Sequence, residues 1–302
     1  MIRFFRRDRR PFRSPVIAHI HVPKCAGSSI RKLLGNYFGS AHAHLYVNDT
    51  FFVYSEAELA ACISEPSMRG FSSHFVRSFP RSIAERDMLY ITFLRNPVEQ
   101  FISYVTYTRK VFHSINEENL LSCLPPDLPS LSIRQAAHWI LTRKQHVNFR
   151  ENYTTNFFAR FPFRARYGDA KPESFYRKHR LEFAKRVLKE FFFVGISEQL
   201  ERSVGVLQLL AQQRQLDFPP GAVTVENTSY EGRDDLTWIR EDDEVGSLLL
   251  SSIREDQQLY AWALARFSRL RDRSTSEGND ESLYAVRGRA GRQAIPTPDR
   301  LA

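Results

Sequence analysis

The sequence predicts an α/β domain built on a central, mainly parallel sheet flanked by helices, and three observations carry that expectation. One pattern occurs three times along the chain: a short apolar run, a polar turn, and then apolar residues at helical spacing. Parallel strands joined by crossover helices read this way. Each turn also holds residues suited to starting a helix, Gly27-Ser28-Ser29, Asn96-Pro97 and Ser197. Finally, 42% of the 302 residues are hydrophobic and 13% aromatic, enough for one large core or two modest ones.

The chain opens on a basic arm, residues 1–14. Arg3, Arg6, Arg7, Arg9, Arg10 and Arg13 face only Asp8, so much of the net charge of +9 sits here. That location weakens a nucleic-acid reading of the charge, and no nucleic-acid partner is expected. The arm reads as a solvated, flexible segment because no helical stripe is sustained. Ile2, Phe4, Phe5 and Phe12 among the arginines offer a second reading, peripheral contact with anionic lipid. Cys25, Cys62 and Cys123 are odd in number and lack paired spacing, which suggests neither a disulfide framework nor a zinc site. No run approaches the roughly 18 apolar residues of a spanning helix, and the first residues lack the apolar stretch of a signal peptide. A soluble, cytoplasmic protein is expected.

The first unit is a strand over 16–22, a loop over 23–29 and a helix carrying Ile30, Leu33, Leu34, Tyr37 and Phe38. The second is a strand over 88–94, the turn Arg95-Asn96-Pro97 and a helix carrying Val98, Phe101, Ile102 and Val105. Asn96 suits the N-cap, Pro97 the first helical position, and Glu99 a capping-box spacing. Between this unit and the third lies a mostly helical stretch with a Pro-rich surface loop at 124–129, where acceptor-binding insertions are expected. The third unit is a strand over 191–196, Ser197 as N-cap and a helix carrying Leu200, Val204, Leu207 and Leu210. Residues 245–267 are helical in pattern. From about Arg271 apolar anchors are few, and 271–302 reads as a disordered tail.

The loop at 23–29 carries the first chemistry. In an open parallel sheet, ligands bind outside the carboxyl ends of strands, where helix N-termini present N–H groups. Gly27 allows close approach of the backbone, Ser28 and Ser29 add hydroxyls, and Lys24 adds a point charge. The nucleoside-triphosphatase loop needs its lysine immediately before Ser or Thr. Here the lysine precedes the glycine.

The order Pro23-Lys24-Cys25-Ala26-Gly27-Ser28-Ser29 after a strand, with His21 two residues before the proline, resembles the 5′-phosphosulfate loop of sulfotransferases. The similarity is to the carbohydrate-modifying, heparan 2-O-sulfotransferase-like branch, written His-Ile-Pro-Lys-Thr-Ala-Gly-Thr-Ser. Cys25 stands where that pattern has threonine. The resemblance implies that Lys24, Cys25, Ala26, Gly27, Ser28 and Ser29 hold the phosphosulfate of 3′-phosphoadenosine 5′-phosphosulfate. It also implies that Arg95 and Ser103 bind the 3′-phosphate. Residues 192–200, 225–229 and 253–267 are similar to later segments of that family. The implied fold is a P-loop-like three-layer sheet over residues 15–270.

Sulfuryl transfer to a hydroxyl needs a base for the acceptor proton and positive groups for charge developing on the leaving phosphate. Lys24 suits the second task, and no metal is required. His74 is expected to be the base. An unperturbed imidazole titrates at about 6.5, and Ser73-His74-Phe75 resembles a Gly-His-Phe segment of the family, with Ser73 in place of glycine. His21 competes, although a strand histidine of this kind is more often a core or supporting residue. Glu56 and Glu58 are weaker candidates. His19, His42, His44, His113, His138 and His146 read as ordinary.

The acceptor is expected to be a hydroxyl-bearing molecule, a carbohydrate or glycolipid. Arg109, Lys110, Arg143, Lys144, Arg150 and Arg160 suit an anionic one, or form a solvated helix face. Two alternatives remain: a non-catalytic nucleotide-binding module, and a nucleotide kinase, which would require a magnesium-binding carboxylate pair that the sequence does not suggest.

Overall fold

The computed structural model describes residues 14–45, 53–76, 78–111, 125–142, 151–167, 170–220, 223 and 236–277. The basic arm before Ser14, Cys123, the segment 225–229 and residues 278–302 lie outside them. Within the described residues the chain is α/β, with a six-stranded, mainly parallel sheet between layers of helices.

The strand β1 (Val16–Ile20) is buried along its whole length and forms the centre. Its Val-Ile-Ala-His-Ile run lacks the alternation of a half-exposed strand, as expected where helices cover both faces. On one side it pairs in parallel with β4 (Gly70–Ser73), Ile17 opposite Gly70, and β4 pairs in parallel with β2 (His42–Leu45). On the other side it pairs in parallel with β7 (Arg86–Leu94), Val16 opposite Met88, and β7 continues to β8 (Phe193–Ile196). The short β6 (Ser82–Ile83) folds back antiparallel onto β7. Ala84 and Glu85 both have positive φ, as a two-residue hairpin of the twist-compatible type requires. A separate parallel pair joins β3 (Val53–Tyr54) to β5 (Phe75–Val76).

All three expected strand-turn-helix units are present. They are β1 with α1 (Gly27–Phe38), β7 with α3 (Pro97–Val111), and β8 with a later helix, α7 (Leu200–Gln213). The short α2 (Glu56–Ile63) precedes β4. Between α3 and β8 come α4 (Ile133–Thr142), α5 (Tyr153–Tyr167) and α6 (Glu173–Glu190). The chain then reaches α8 (Glu244–Ser252) and α9 (Arg254–Glu277). The single helical run expected over 245–267 is thus two helices that meet at Ile253. The second continues past Arg271, where a disordered tail was expected, to Glu277. Ser197 is also not the N-cap of α7: it starts a 3₁₀ turn (Ser197–Gln199), and Gln199 occupies the cap.

Phe71, Phe93, Phe158, Phe193 and Phe267 are among the largest fully buried side chains and anchor the main core. A smaller core joins α3, α4 and α8 through Ile102, Ile140, Trp238 and Leu249. Arg86, only 1% exposed, crosses under the amino end of β7. Its guanidinium donates to the carbonyls of Ser14, Ile63, Glu65 and Met68, fastening the start of β1 to the segment that follows α2. A buried cation persists only where such partners satisfy it.

Candidate functional site

Between β1 and β7 the connections diverge. From β1 the chain passes to β2 and β4 on one side, and from β7 it proceeds to β8 on the other. Such a switch point leaves a crevice outside the strands' carboxyl ends. The two segments singled out from sequence, 23–29 and 95–103, border it.

Lys24 and Ala26 both adopt left-handed backbone geometry (φ 66° and 59°), whereas Cys25 between them does not. Alternation of this kind turns successive N–H groups into one concavity suited to an anion. Ala26 caps α1 without any side-chain hydrogen bond, and first-turn N–H groups have no intrahelical partner, so the amides of Gly27 and Ser28 are open to a ligand by geometry. Cys25 differs. Its N–H donates to the Val22 carbonyl at 3.2 Å, and its thiol is packed in the core, where burial pushes its pKa well up. Its part is to close the turn. Ser29 is buried against the body of the domain, and Ser28 is half-buried.

Gly27 has a requirement that the sequence did not suggest. A Cβ on it would lie 1.6 Å from Cδ2 of His21. The imidazole lies directly against the glycine, and any larger residue would displace it.

The ammonium of Lys24 sits 3.7 Å from the centre of the half-exposed Tyr107 ring, a cation–π contact from α3. Burial, and then the nearby Arg95 cation, lower its pKa to about 8. Arg95 reaches the same loop, its Nη1 donating to the Lys24 carbonyl at 3.4 Å while Nη2 lies 3.5 Å from Glu99 Oε2. Both contacts are long, and the arginine is a quarter exposed, so little holds it from a better bidentate acceptor. Ser103 is buried two turns into α3. Gln100, one turn into the same helix, ties the segments together: its Nε2 donates to the Pro23 carbonyl at 2.9 Å, and its Oε1 accepts from Thr154.

Asn96 caps α3 as expected, its Oδ1 accepting from the amides of Val98 and Glu99. The capping box does not close through Glu99, which turns to Arg95. Glu198, after β8, accepts the Asn96 N–H at 2.6 Å and the Tyr260 hydroxyl at 3.0 Å instead. One carboxylate therefore links the ends of β7 and β8 to α9.

His74 lies where the chain passes from β4 to β5, partly buried. Its Nδ1 is 2.9 Å from the His21 carbonyl oxygen. A carbonyl only accepts, so Nδ1 carries a proton and Nε2 carries the lone pair of the neutral ring. The His21 and His74 rings stack with centroids 4.3 Å apart. Behind them is a polar layer that sequence reasoning passed over. His19 Nδ1 lies 3.0 Å from Ser72 Oγ, which lies 3.2 Å from His42 Nε2, a chain running across β1, β4 and β2. His19 stacks on His21 at 5.7 Å, and His44 meets His42 edge-on at 4.8 Å. Burial is the first cause that lowers the pKa of His19 to about 3, that of His42 to about 4, and that of His21 well below its ordinary value. At neutral pH these three rings are uncharged. Their signal was visible as His-x-His across the end of β1 and within β2, the period-two spacing that puts both rings on one face.

The remaining candidates stand elsewhere. Glu58 forms a capping box with Ser55 at the start of α2, and Glu56 is exposed beside it. His138 is near Glu244 on α4, and His113 and His146 lie outside the described residues. Of the basic residues suited to an anionic acceptor, Arg143, Lys144 and Arg150 also lie outside them. Among the described residues no group of His, Cys, Asp or Glu is arranged to hold a metal ion, and no helix is long and apolar enough to cross a membrane. No protein-family model matches the chain, and no curated protein matches it.

Proposed function

We propose that this protein is a sulfotransferase that moves a sulfuryl group from 3′-phosphoadenosine 5′-phosphosulfate to a hydroxyl of a carbohydrate or related acceptor. The observation that carries the reading is the meeting of the two strand-end segments: Arg95 reaches the Lys24 carbonyl, bringing a guanidinium to the edge of a cradle built from alternating backbone and a helix N-terminus. A nucleotide phosphorylated at both its 5′ and 3′ positions needs two such anion sites on one crevice wall.

The residues present suit that donor. The amides of Gly27 and Ser28 and the ammonium of Lys24 would hold the 5′ end, and Arg95 would hold the 3′-phosphate. Ser103 is buried, so the 3′ assignment rests on Arg95. When bound, the donor supplies an activated sulfuryl group. His74 Nε2 takes the proton of the acceptor hydroxyl, and the His21 carbonyl stabilises the imidazolium through Nδ1–H. Lys24 and the first-turn amides stabilise negative charge on the departing 5′-phosphate oxygen, which lowers the barrier without a change in their positions.

The test is turnover of labelled donor with a panel of carbohydrate acceptors, comparing wild type with His74→Ala. The variant is expected to bind 3′-phosphoadenosine 5′-phosphate as wild type does and to lose transfer by roughly 10²–10⁴-fold, the range for removal of a general base. Unchanged transfer in the variant would remove His74 from the mechanism.

A further inference from the structure

Four contacts around His21 converge. Its ring lies against the α-carbon of Gly27, so closely that a Cβ there would fall inside it. The His74 ring stacks on the same imidazole, its centroid 4.3 Å away and within 27° of parallel. Its carbonyl accepts the His74 Nδ1 proton, and its own N–H donates to Ser73 at 2.8 Å, the residue before His74. Every link between the first helical residue of the anion cradle and His74 that these contacts describe passes through one residue. The ring itself is held by stacking on His19, which is fixed in turn by Ser72.

We propose that His21 is the positioning residue of this site, a flat spacer that sets the distance from cradle to base and fixes which nitrogen of His74 receives the proton. The proposal rests on the reading of His74 as a base, and it explains two features that this reading leaves over. Position 27 must be glycine because of the spacer as well as the anion. His21 is also kept uncharged, by burial first and then by His74, His19, Arg31 and Lys24 around it, which suits a ring packed between a cationic site and a base that itself becomes cationic.

The backbone carbonyl survives any substitution, so side-chain variants read the stacking that holds the His74 ring against it. In the full chain labelled with ¹⁵N-histidine, wild-type His74 is expected as the Nδ1–H tautomer above its titration. In His21→Ala the fixed tautomer should give way to a mixture. Turnover should fall on the order of 100-fold, the cost of misplacing a reacting group by about 1 Å, with affinity for 3′-phosphoadenosine 5′-phosphate within about threefold of wild type. His21→Phe restores a flat ring and should recover at least about tenfold of that loss. A wild-type His74 found mainly as the Nε2–H tautomer would overturn the proposal, as would His21→Ala turning over like wild type, or His21→Phe no better than His21→Ala. Should His21→Ala fail to melt cooperatively, the wild-type tautomer and the activity of His21→Phe decide the matter. An absence of donor turnover in the wild type would count against the sulfotransferase reading, and the tautomer measurements would then judge the spacer alone.

Discussion

Lys24 brings together backbone strain, partial burial and a second cation. Its left-handed φ and the pressure of Arg95 are costs that the proposed anion would offset. With a pKa of about 8 against an ordinary value near 10.5, the ammonium is lost in the folded, unliganded protein as pH rises through 8. The unfolded lysine stays charged to higher pH, so the depression costs folding stability below about pH 8, a cost relieved as pH climbs toward 10.5. Anion binding runs in the opposite direction. Above about pH 8, affinity for 3′-phosphoadenosine 5′-phosphate should fall by about tenfold per pH unit, because binding must first restore a proton. In Arg95→Ala that break should move to higher pH, since a repulsive neighbour is gone. Calorimetry in buffers of different ionisation enthalpy reads both the break and the proton uptake. A flat affinity from pH 7 to 9.5 would show that Lys24 does not touch the anion. Lys24 and Arg95 were legible in the sequence because they flank strand ends in turns with recognisable helix-start chemistry. Tyr107 was not, because a tyrosine on a helix carries no sign that a lysine lies over its ring.

Two helices that border the site exchange caps, which ties the end of the chain to its middle. Asn152 Oδ1 accepts the amides of Glu255 and Asp256 at the start of α9, and Asp256 accepts those of Thr154 and Thr155 at the start of α5. Asp256 is buried, and desolvation outweighs its hydrogen bonds, raising its pKa to about 6. A raised carboxylate pKa contributes stability that is full below about pH 4 and lost as pH rises through 6. Asp256→Asn should lack this loss, so wild type should lose roughly 1–3 kcal/mol relative to the variant between pH 4 and 6. Denaturant unfolding of both chains side by side checks this, because the buried histidines act in the opposite direction and cancel in the difference. A difference independent of pH would contradict the burial argument. Elements differed in how readily the sequence disclosed them. β1, β7 and β8 are apolar runs and were found. β2, His-Ala-His-Leu, and β4, Gly-Phe-Ser-Ser, were missed, since beside Phe71 they bury polar groups that are satisfied only across strands, by Ser72 between His19 and His42. A strand whose inward face is imidazole and hydroxyl gives no hydrophobic signal.

Among the described residues, the buried structural arginine and the candidate site lie at opposite ends of one sheet. Arg86 gathers four carbonyls at the amino end of β7, while Lys24, Arg95 and His74 lie at or beyond carboxyl ends. The α/β class, and the placing of the 23–29 loop at the carboxyl end of a strand, followed from three repeated units. The order of strands did not, because β4 enters between β2 and β1 from a stretch with no apolar run. What the complete arrangement adds is the joining of distant segments: Gln100 to Pro23, Glu198 to Asn96, and His21 to His74. The central claim is that the joined segments recognise a nucleotide with a 3′-phosphate. Titration calorimetry with 3′-phosphoadenosine 5′-phosphate and adenosine 5′-phosphate tests it without knowledge of the acceptor. Tighter binding of the 3′-phosphorylated ligand by about tenfold or more, with that advantage lost in Arg95→Ala, is predicted from a bidentate, charge-assisted contact. Equal affinity for the two ligands would contradict the account.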